Sequence, residues 1–235
     1  MAGKVYLIPN VIADDTVNEV ISPQVRDVAS QIDYFLVENI RTARRYLSSL
    51  KIGKPIESLH FEVVDKKTSD HEIETLFQPV LSKGINIGVI SESGCPGVAD
   101  PGAKIVALAH KKNCDVIPLV GPSSLLLALM ASGFNGQSFA FQGYVSIKTK
   151  ERQADLKKLE NLSKNNRQTQ IFIETPYRND GLLKDILKAC SPDTKLCIAK
   201  DVSGKNQFLK TATIKEWRKQ VPVLGKFPTV FLIDA

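Results

Sequence analysis

One stretch of the sequence combines small and kinked residues in a way that suits ligand binding. Residues 91–102 read Ser-Glu-Ser-Gly-Cys-Pro-Gly-Val-Ala-Asp-Pro-Gly, the most unusual composition in the chain. Glycine lets a backbone approach a ligand closely, and a loop between a strand and a helix presents N–H groups at the carboxyl end of a sheet. A second turn of this kind, at 121–124, reads Gly-Pro-Ser-Ser. We therefore expect a ligand site built from backbone groups and small side chains.

The residues that commonly hold metals are scattered along the chain. The cysteines and histidines are Cys95, Cys114, Cys190, Cys197, His60, His71 and His110. No two cysteines have the close spacing of a zinc knuckle, so we expect reduced thiols and no metal site. Cys95 differs because it lies in the 91–102 loop, where it is either a packed thiol or a neighbour of the bound ligand.

Three common catalytic motifs are absent from the sequence. There is no Gly-x-Gly-x-x-Gly after the first predicted strand, which argues against dinucleotide-dependent redox chemistry. Gly-x-x-x-x-Gly-Lys-Ser/Thr is missing, which argues against a P-loop kinase or ATPase. The lack of Gly-x-Ser-x-Gly weakens an α/β-hydrolase interpretation.

The elements that must position the two turns alternate between strand and helix. Short apolar runs predict strands at 5–8, 34–37, 59–64, 85–91, 115–120, 139–141, 170–174, 196–200, 208–211 and 229–233. Periodic apolar residues predict helices at 15–30, 38–50, 70–81, 103–111, 125–131, 150–163, 182–190 and 214–220. This order predicts two α/β domains, 1–118 and 123–235, with the ligand site in a cleft between them.

Composition narrows the class of protein further. With 43% hydrophobic and 24% charged residues, the 235-residue chain is typical of a soluble globular protein and not of a disordered, collagenous or coiled-coil one. The longest apolar run, 125–131, is far shorter than the roughly 20 residues of a spanning helix. The amino terminus lacks a signal-peptide pattern, so we expect a cytoplasmic protein without membrane contact. The net charge of +6 and the pI of about 9.1 weakly favour a polyanionic partner such as RNA.

The 91–102 loop resembles a signature of the tetrapyrrole methylase superfamily, in its branch of small-subunit ribosomal RNA methyltransferases. That signature reads Ser-Asp-Ala-Gly-Thr-Pro-x-x-Ser-Asp-Pro-Gly. Residues 171–178, Ile-Phe-Ile-Glu-Thr-Pro-Tyr-Arg, are similar to Phe-Tyr-Glu-Ser-Pro-His-Arg, and residues 38–44 to Glu-Asp-Thr-Arg-x-Thr-Arg. The likeness continues, in the same order, at 118–124, 131–134 and 142–144.

Two segments depart from the family pattern on the side expected to hold the methyl acceptor. Residues 8–14 lose the glycine of an early Thr-Pro-Ile-Gly-Asn-Leu-x-Asp segment, and Asn39 stands where the family has aspartate. A Tyr-His-x-His-Asn-like segment is reduced to Leu-His-Phe at 59–61.

The resemblance implies a fold of two α/β domains of the tetrapyrrole methylase type, with an interdomain cofactor cleft, in a homodimer. S-adenosylmethionine is the implied cofactor, with no metal. A sulfonium needs neither a metal nor a phosphate cradle, and catalysis is mostly the placing of an acceptor oxygen in line with the methyl group. The implied cofactor-binding residues are Pro9, Ser93, Gly94, Cys95, Pro96, Val98, Ala99, Ser123, Ser124, Phe172, Pro228 and Thr229.

Glu38, Arg41 and Glu174 are the candidate catalytic residues. Either carboxylate could position or deprotonate the acceptor, and either could instead cap a helix or pair with an arginine. Arg41, together with Arg44 and Arg45, is either a contact for substrate phosphates or part of a solvated helix face.

The resemblance implies an S-adenosylmethionine-dependent methyltransferase, with 2′-O-methylation of a ribose in small-subunit ribosomal RNA as the leading hypothesis. Its partner would then be ribosomal RNA or the small ribosomal subunit. One alternative is methylation of a tetrapyrrole or another small molecule. Another is a non-catalytic module that binds the cofactor without turnover. Residues 148–152, rich in Lys and Arg, are interpreted as an exposed basic loop, with RNA contact as an alternative.

Overall fold

The computed structural model describes residues 2–235, which divide into two compact units. The first unit ends at Ser123, and the second runs from Ser124 to Ala235. Each is built on a five-stranded sheet with helices packed against it, so the predicted alternation of strands and helices is confirmed.

The first unit contains a parallel sheet with strand order β3-β2-β4-β1-β5. Its strands are β1 (Val5–Ile8), β2 (Tyr34–Val37), β3 (His60–Val63), β4 (Ile87–Ile90) and β5 (Val116–Pro118). Every residue of β2 and β4 is buried. Such continuous apolar strands are expected where a parallel sheet is covered on both faces.

Helices cover both faces of this sheet. They are α1 (Val17–Val20), α2 (Pro23–Ser30), α3 (Ile40–Leu50), α4 (Asp70–Lys83) and α5 (Gly102–Lys111). Phe35 and Leu36, neighbours on β2, point to opposite faces. Phe35 joins the core beneath α2 and α3, and Leu36 joins the core beneath α4 and α5. Because the strands are parallel, their carboxyl ends share one edge, where the loops that follow them meet.

The predicted single helix over 15–30 is wrong. The chain forms α1 and α2 with an extended break between them, in which Ser22 has φ −68° and ψ 152°. Proline lacks an N–H and pushes the preceding residue out of the helical region. Pro23 therefore starts a new helix at its first position, where a missing N–H costs nothing.

The second unit contains a mixed sheet with strand order β6-β7-β10-β8-β9. Its strands are β6 (Phe139–Tyr144), β7 (Thr169–Glu174), β8 (Lys195–Lys200), β9 (Phe208–Thr213) and β10 (Thr229–Asp234). Within the described residues of this second sheet, the β6–β7 pair is parallel and the other three neighbouring pairs are antiparallel. Glu174, Thr229 and Lys200 lie side by side in this register, on three adjacent strands.

Four helices of the described chain belong to this second unit. They are α6 (Ser124–Ser132), α7 (Thr149–Asn166), α8 (Asn179–Ala189) and α9 (Ile214–Trp217). The main core lies between the sheet and α7, α8 and α9, with Phe172 and Phe231 fully buried at its centre.

Two predictions about this unit are wrong. The basic stretch 148–152 is not a loop but the start of α7, and Arg152 is buried against α8. Its Nε donates to Asp185 Oδ2 over 2.7 Å. The helix predicted over 214–220 ends at Trp217. Pro222 disfavours helical backbone at residue 221. The chain already forms a turn at residues 218–219, directly after the helix.

Candidate active site

Asn10 joins the loop after β1 to the loop after β4. Its backbone N–H donates to the Gly94 carbonyl over 2.9 Å, and its side-chain amide donates to the carbonyls of Ser91 and Glu92 over 3.2 and 3.0 Å. Its Oδ1 accepts from the Val11 N–H over 2.8 Å. Asn10 is buried. The two loops are therefore fixed to each other at the carboxyl edge of the parallel sheet.

Asp100 folds the tip of the 91–102 loop. Its carboxylate accepts hydrogen bonds from the N–H groups of Gly97 and Gly102, the shortest at 2.6 Å. Gly97 and Ala99 have φ of +85° and +65°. The left-handed conformation costs a non-glycine residue such as Ala99 about 1 kcal/mol. The loop thus holds a kinked shape that leaves Val98 and Ala99 exposed.

The turn after β5 packs under the same loop. A Cβ on Gly121 would lie 2.1 Å from the Cβ of Pro9, so only glycine fits there. The Cys95 thiol lies 3.4 Å from the Pro122 carbonyl and 3.7 Å from that of Gly121. Burial raises the pKa of this thiol, so it remains protonated and can donate a weak hydrogen bond. These contacts match the packed-thiol alternative for Cys95.

Glu38 follows β2 and points at the base of the loop. Its Oε2 accepts from the Glu92 N–H over 2.9 Å. Burial raises the pKa of the Glu38 carboxyl, and the negative charges of Asp100 and Glu92 raise it further, against the lowering effects of the Glu92 N–H and Lys66. Glu38, together with Glu92 and Asp100 of the loop itself, therefore concentrates negative charge at the loop. A carboxylate with a raised pKa is suited to accept a proton from a substrate.

Asn39 caps α3. Its Oδ1 accepts from the N–H groups of Arg41 and Thr42 over 2.9 and 3.2 Å. Asparagine and aspartate cap helices about equally well. The departure from the family's aspartate therefore preserves the start of this helix.

Arg41, Arg44 and Arg45 are exposed along α3. Arg44 lies over the ring of Phe61, 5.4 Å from its centroid, and Arg45 is 3.5 Å from the Asp14 carboxylate. Both arginines are exposed, and an ion pair at the surface, such as that of Arg45 with Asp14, contributes little to stability. The phosphate-contact role of this face stays a prediction.

The predicted cofactor residues of the first unit surround the loop with different exposures. Pro9, Gly94 and Pro96 are buried, Cys95 and Ser123 are partly exposed, and Ser93, Val98 and Ala99 are exposed. A ligand at this loop would meet the exposed side chains and the backbone between them.

In the second unit, Glu174 is committed to a buried ion pair. Its side chain has no exposed area, and its Oε1 accepts from Arg178 and from the Thr175 N–H, each over 2.6 Å. Its Oε2 has no hydrogen-bond partner among residues 2–235. The structure thus contains the pairing alternative for Glu174, while its role toward an acceptor stays a prediction.

The predicted cofactor residues of the second unit differ in their exposure, and Phe172 and Thr229 are buried. Phe172 is fully buried and stacks on Phe231 with 5.8 Å between ring centroids. Thr229 is buried, donates to the Phe227 carbonyl over 3.0 Å and accepts from Asn179 over 3.2 Å. Pro228 is exposed, and Ser124 is partly exposed at the start of α6. Phe172 has no exposed surface in this structure, and its role toward the cofactor stays a prediction.

Residues 2–235 contain neither a membrane-spanning helix nor a cluster of metal-ligating side chains. No helix there is long and apolar enough to cross a membrane. No group of three or more His, Cys, Asp or Glu in that range is arranged to hold a metal ion.

Asn10, Glu92 and Asp100 are the site residues that sequence reasoning missed. Asp100 could have been found, because a carboxylate between glycines in a turn commonly accepts their N–H groups. Asn10 and Glu92 carry no such local signal, since their partners lie 54 or more residues away.

The sequence of this chain is similar to a protein family and to several known proteins. The family model described as Tetrapyrrole (Corrin/Porphyrin) Methylases matches residues 11–217. Ribosomal RNA small subunit methyltransferase I of Bacillus subtilis (strain 168) is 29% identical over 231 residues, covering 96% of this chain and 73% of that protein. The protein of the same name from Haemophilus influenzae is 27% identical over 237 residues, covering 100% of this chain and 79% of that protein.

A solved structure has the same architecture. The crystal structure of the methyltransferase CobJ matches with a TM-score of 0.63 and 16% identity, covering 99% of this chain and 94% of that one. At this identity the likeness shows the fold.

The two α/β units, the matching family model and the named relatives identify a methyltransferase built of two α/β units. The chain belongs to the family of Tetrapyrrole (Corrin/Porphyrin) Methylases. The predicted fold class, family and enzyme class are therefore confirmed.

Proposed function

We propose that this chain binds S-adenosylmethionine at the 91–102 loop and methylates a ribose 2′-hydroxyl in small-subunit ribosomal RNA. The observation that carries the proposal is the kinked loop, fixed by Asn10 and Asp100, with three carboxylates concentrated at it. Relatives named for ribosomal RNA methylation match at 27–29% identity over nearly the whole chain. A homodimer acting in the cytoplasm is part of the proposal.

The residues present fit S-adenosylmethionine. The exposed tip offers the small side chains of Val98 and Ala99, and Gly94, with φ +70°, has the left-handed backbone conformation that favours glycine. Glu38 and Glu92 place negative charge where a positively charged sulfonium would be favoured. A bound cation would also lower the raised pKa of Glu38, because it offsets the neighbouring negative charges.

The roles of the side chains follow from this arrangement. When bound, S-adenosylmethionine supplies an electrophilic methyl group on its sulfonium. Bond formation between the acceptor oxygen and the methyl carbon would break the carbon–sulfur bond, whose electron pair would leave with the neutral thioether. Glu38 would take the hydroxyl proton, so the acceptor oxygen ends as an ether and Glu38 as a neutral acid. Asp100 and Asn10 hold the loop in shape, which limits the motion of both reactants.

The test is calorimetric titration of S-adenosylmethionine into the wild-type chain and two variants. Val98→Trp fills the exposed tip of the loop, whereas Ala107→Trp introduces the same side chain on the exposed side of α5. We expect saturable binding by the wild type and by Ala107→Trp, and its loss in Val98→Trp. Equal binding by all three, or by none, would contradict the proposed site.

The acceptor is tested by transfer of a labelled methyl group. Incorporation into small ribosomal subunits, at the 2′-oxygen of a ribose, is the expected result. Incorporation into precorrin-type compounds instead would favour the small-molecule alternative, for which the shared fold with CobJ is the relevant observation. Tight cofactor binding without turnover on either class would favour a non-catalytic module.

A further inference from the structure

A strip of alternating cations and aromatic rings lies on the second unit, outside the 91–102 loop and next to the predicted cofactor residues Pro228 and Thr229. It lies at the end of the sheet where β7 and β8 finish and β10 begins, and extends along the edge strand β9. We call it the lysine–aromatic strip, and it consists of Tyr177, Lys200, Phe208, Lys210, Lys226 and Phe227.

The members of the strip are in contact with one another. Lys226 Nζ lies 5.0 Å from the ring centroid of Tyr177. Lys200 Nζ lies 5.3 Å from the centroid of Phe227 and 6.0 Å from that of Phe208. Phe208 is the register partner of Lys200, which places a cation of β8 directly beside a ring of β9.

The outer end of the strip rests on the core. Lys210 Nζ lies 5.3 Å from the ring centroid of Trp217, which is buried and donates to the Leu196 carbonyl over 2.9 Å. Phe208 meets Trp217 edge to face at 6.3 Å. The Phe208 ring is therefore held against the core.

The positive charge of the whole chain is concentrated in this region. Residues 195–227 contain eight Lys or Arg against two Asp or Glu, a surplus equal to the net charge of +6 of all 235 residues. Within the part of the chain that the structure describes, Lys200, Lys210 and Lys226 form no ion pair. These charges are available to an anionic partner.

Tyr177 supplies an aromatic face in solution. Its residue is 79% exposed, in the short turn Pro176–Arg178 that follows β7. A nucleobase stacked on the exposed Tyr177 ring would remove its apolar face from water, which is favourable. Aromatic rings interleaved with cations are the surface that unpaired nucleic acid binds, because bases stack and phosphates meet lysines.

We propose that the lysine–aromatic strip binds an unpaired segment of RNA, with a base stacked on Tyr177 and phosphates on Lys200, Lys210 and Lys226. This inference rests on the proposed function and names the surface that holds the acceptor RNA. It assigns acceptor binding to the second unit and not to the arginines of α3.

The test measures the affinity of a short fluorescein-labelled single-stranded RNA by fluorescence anisotropy. Tyr177→Ala should weaken binding about tenfold, as loss of one stacked base does, and Tyr177→Phe should retain wild-type affinity. Phe139→Ala removes another exposed aromatic ring, at the start of β6 beside Thr169 and so at the end of β7 far from Tyr177, and should have no effect.

The charge contribution is read from the salt dependence. Replacing Lys210 and Lys226 together by alanine should lower the slope of log K against log salt by about 1.4, or 0.7 for each phosphate contact. The control replaces Lys184 and Lys188, exposed on α8, and should leave the slope unchanged. Equal melting temperatures would show that each variant is folded.

The outcomes separate this inference from the proposed function. Wild-type affinity in Tyr177→Ala, equal binding of duplex RNA, or conversion of a dimer to a monomer by Tyr177→Ala would each overturn the strip as an RNA surface. If the wild type methylates ribosomal subunits while Tyr177→Ala binds RNA normally, the strip fails and the function stands. If the wild type binds no S-adenosylmethionine while Tyr177→Ala loses RNA, the function fails and the strip stands.

Discussion

Glu38 has an environment that disfavours its charge. It is half-buried, and it accepts a hydrogen bond from the N–H of Glu92, a residue whose own side chain is negative. Burial and the charges of Asp100 and Glu92 raise its pKa and outweigh the lowering effect of Lys66. Glu174, by contrast, accepts a hydrogen bond from Arg178. The raised pKa supports Glu38 as the proton acceptor.

Glu38→Gln should therefore lose activity without losing stability. Loss of a general base lowers kcat by about a hundredfold or more. Because the folded state raises the pKa of Glu38, its contribution to stability is present at low pH and is lost as pH rises through the folded pKa. A neutral glutamine avoids that loss and can still accept the Glu92 N–H.

The measurement is methyl transfer alongside thermal unfolding at neutral pH. The variant should unfold at or above the wild-type temperature. The wild-type rate should fall as pH drops through the raised pKa of Glu38, and this acid limb should vanish in Glu38→Gln. A variant that unfolds earlier and keeps its rate would assign Glu38 a structural role.

At the scale of elements, strand order creates the site. β4 lies between β1 and β2 in the sheet, although it follows both in the chain. The loop after β4 therefore lies between Asn10, after β1, and Glu38, after β2. Hydrophobic runs locate strands in the sequence but do not specify which strands are neighbours. For this reason the 91–102 loop could be predicted while its contacts with Asn10 and Glu38 could not.

The boundaries of helices and strands can be predicted where they depend only on the residue types nearby in the sequence. The Gly/Pro loop and the apolar strands β2 and β4 follow from composition. The break at Pro23 was missed because the apolar spacing of 17–28 continues through it, whereas the missing N–H of proline decides the backbone. Arg152 was misassigned because its partner Asp185 is 33 residues away on α8.

Asp100→Asn tests the loop as an element. Asp100 Oδ1 accepts from both Gly97 and Gly102, and Oδ2 accepts from Gly97 as well. Asparagine keeps one oxygen but turns an NH2 group toward the Gly97 N–H and loses the negative charge, so the loop should loosen and the Kd for S-adenosylmethionine should rise about tenfold. Removing the charge should also lower the pKa of Glu38, which moves the acid limb of the rate to lower pH.

Titration calorimetry and the pH profile check both effects. Asp115→Asn is the matched control, since Asp115 is exposed and precedes β5, at the amino edge of the same sheet. Unchanged affinity together with an unmoved acid limb would show that Asp100 neither shapes the site nor acts on Glu38.

At the scale of the whole molecule, the two units carry opposite charge features. The first holds carboxylates at the 91–102 loop, which suits a small cation, and the second holds the lysine–aromatic strip, which suits a polyanion. A methyltransferase must bind two reactants of different size and charge. We infer that the first unit selects the methyl donor and the second selects the RNA acceptor.

Hydrogen–deuterium exchange followed by mass spectrometry tests this division. S-adenosylmethionine alone should slow exchange in residues 91–102, because a ligand stabilises the loop that it contacts. Single-stranded RNA alone should slow exchange around Tyr177 and in residues 195–227. Val98→Trp should abolish only the first effect and Tyr177→Ala should weaken only the second. Protection of α3 by RNA, with none in 195–227, would instead assign acceptor binding to Arg41, Arg44 and Arg45, and the division of roles between the units would be wrong.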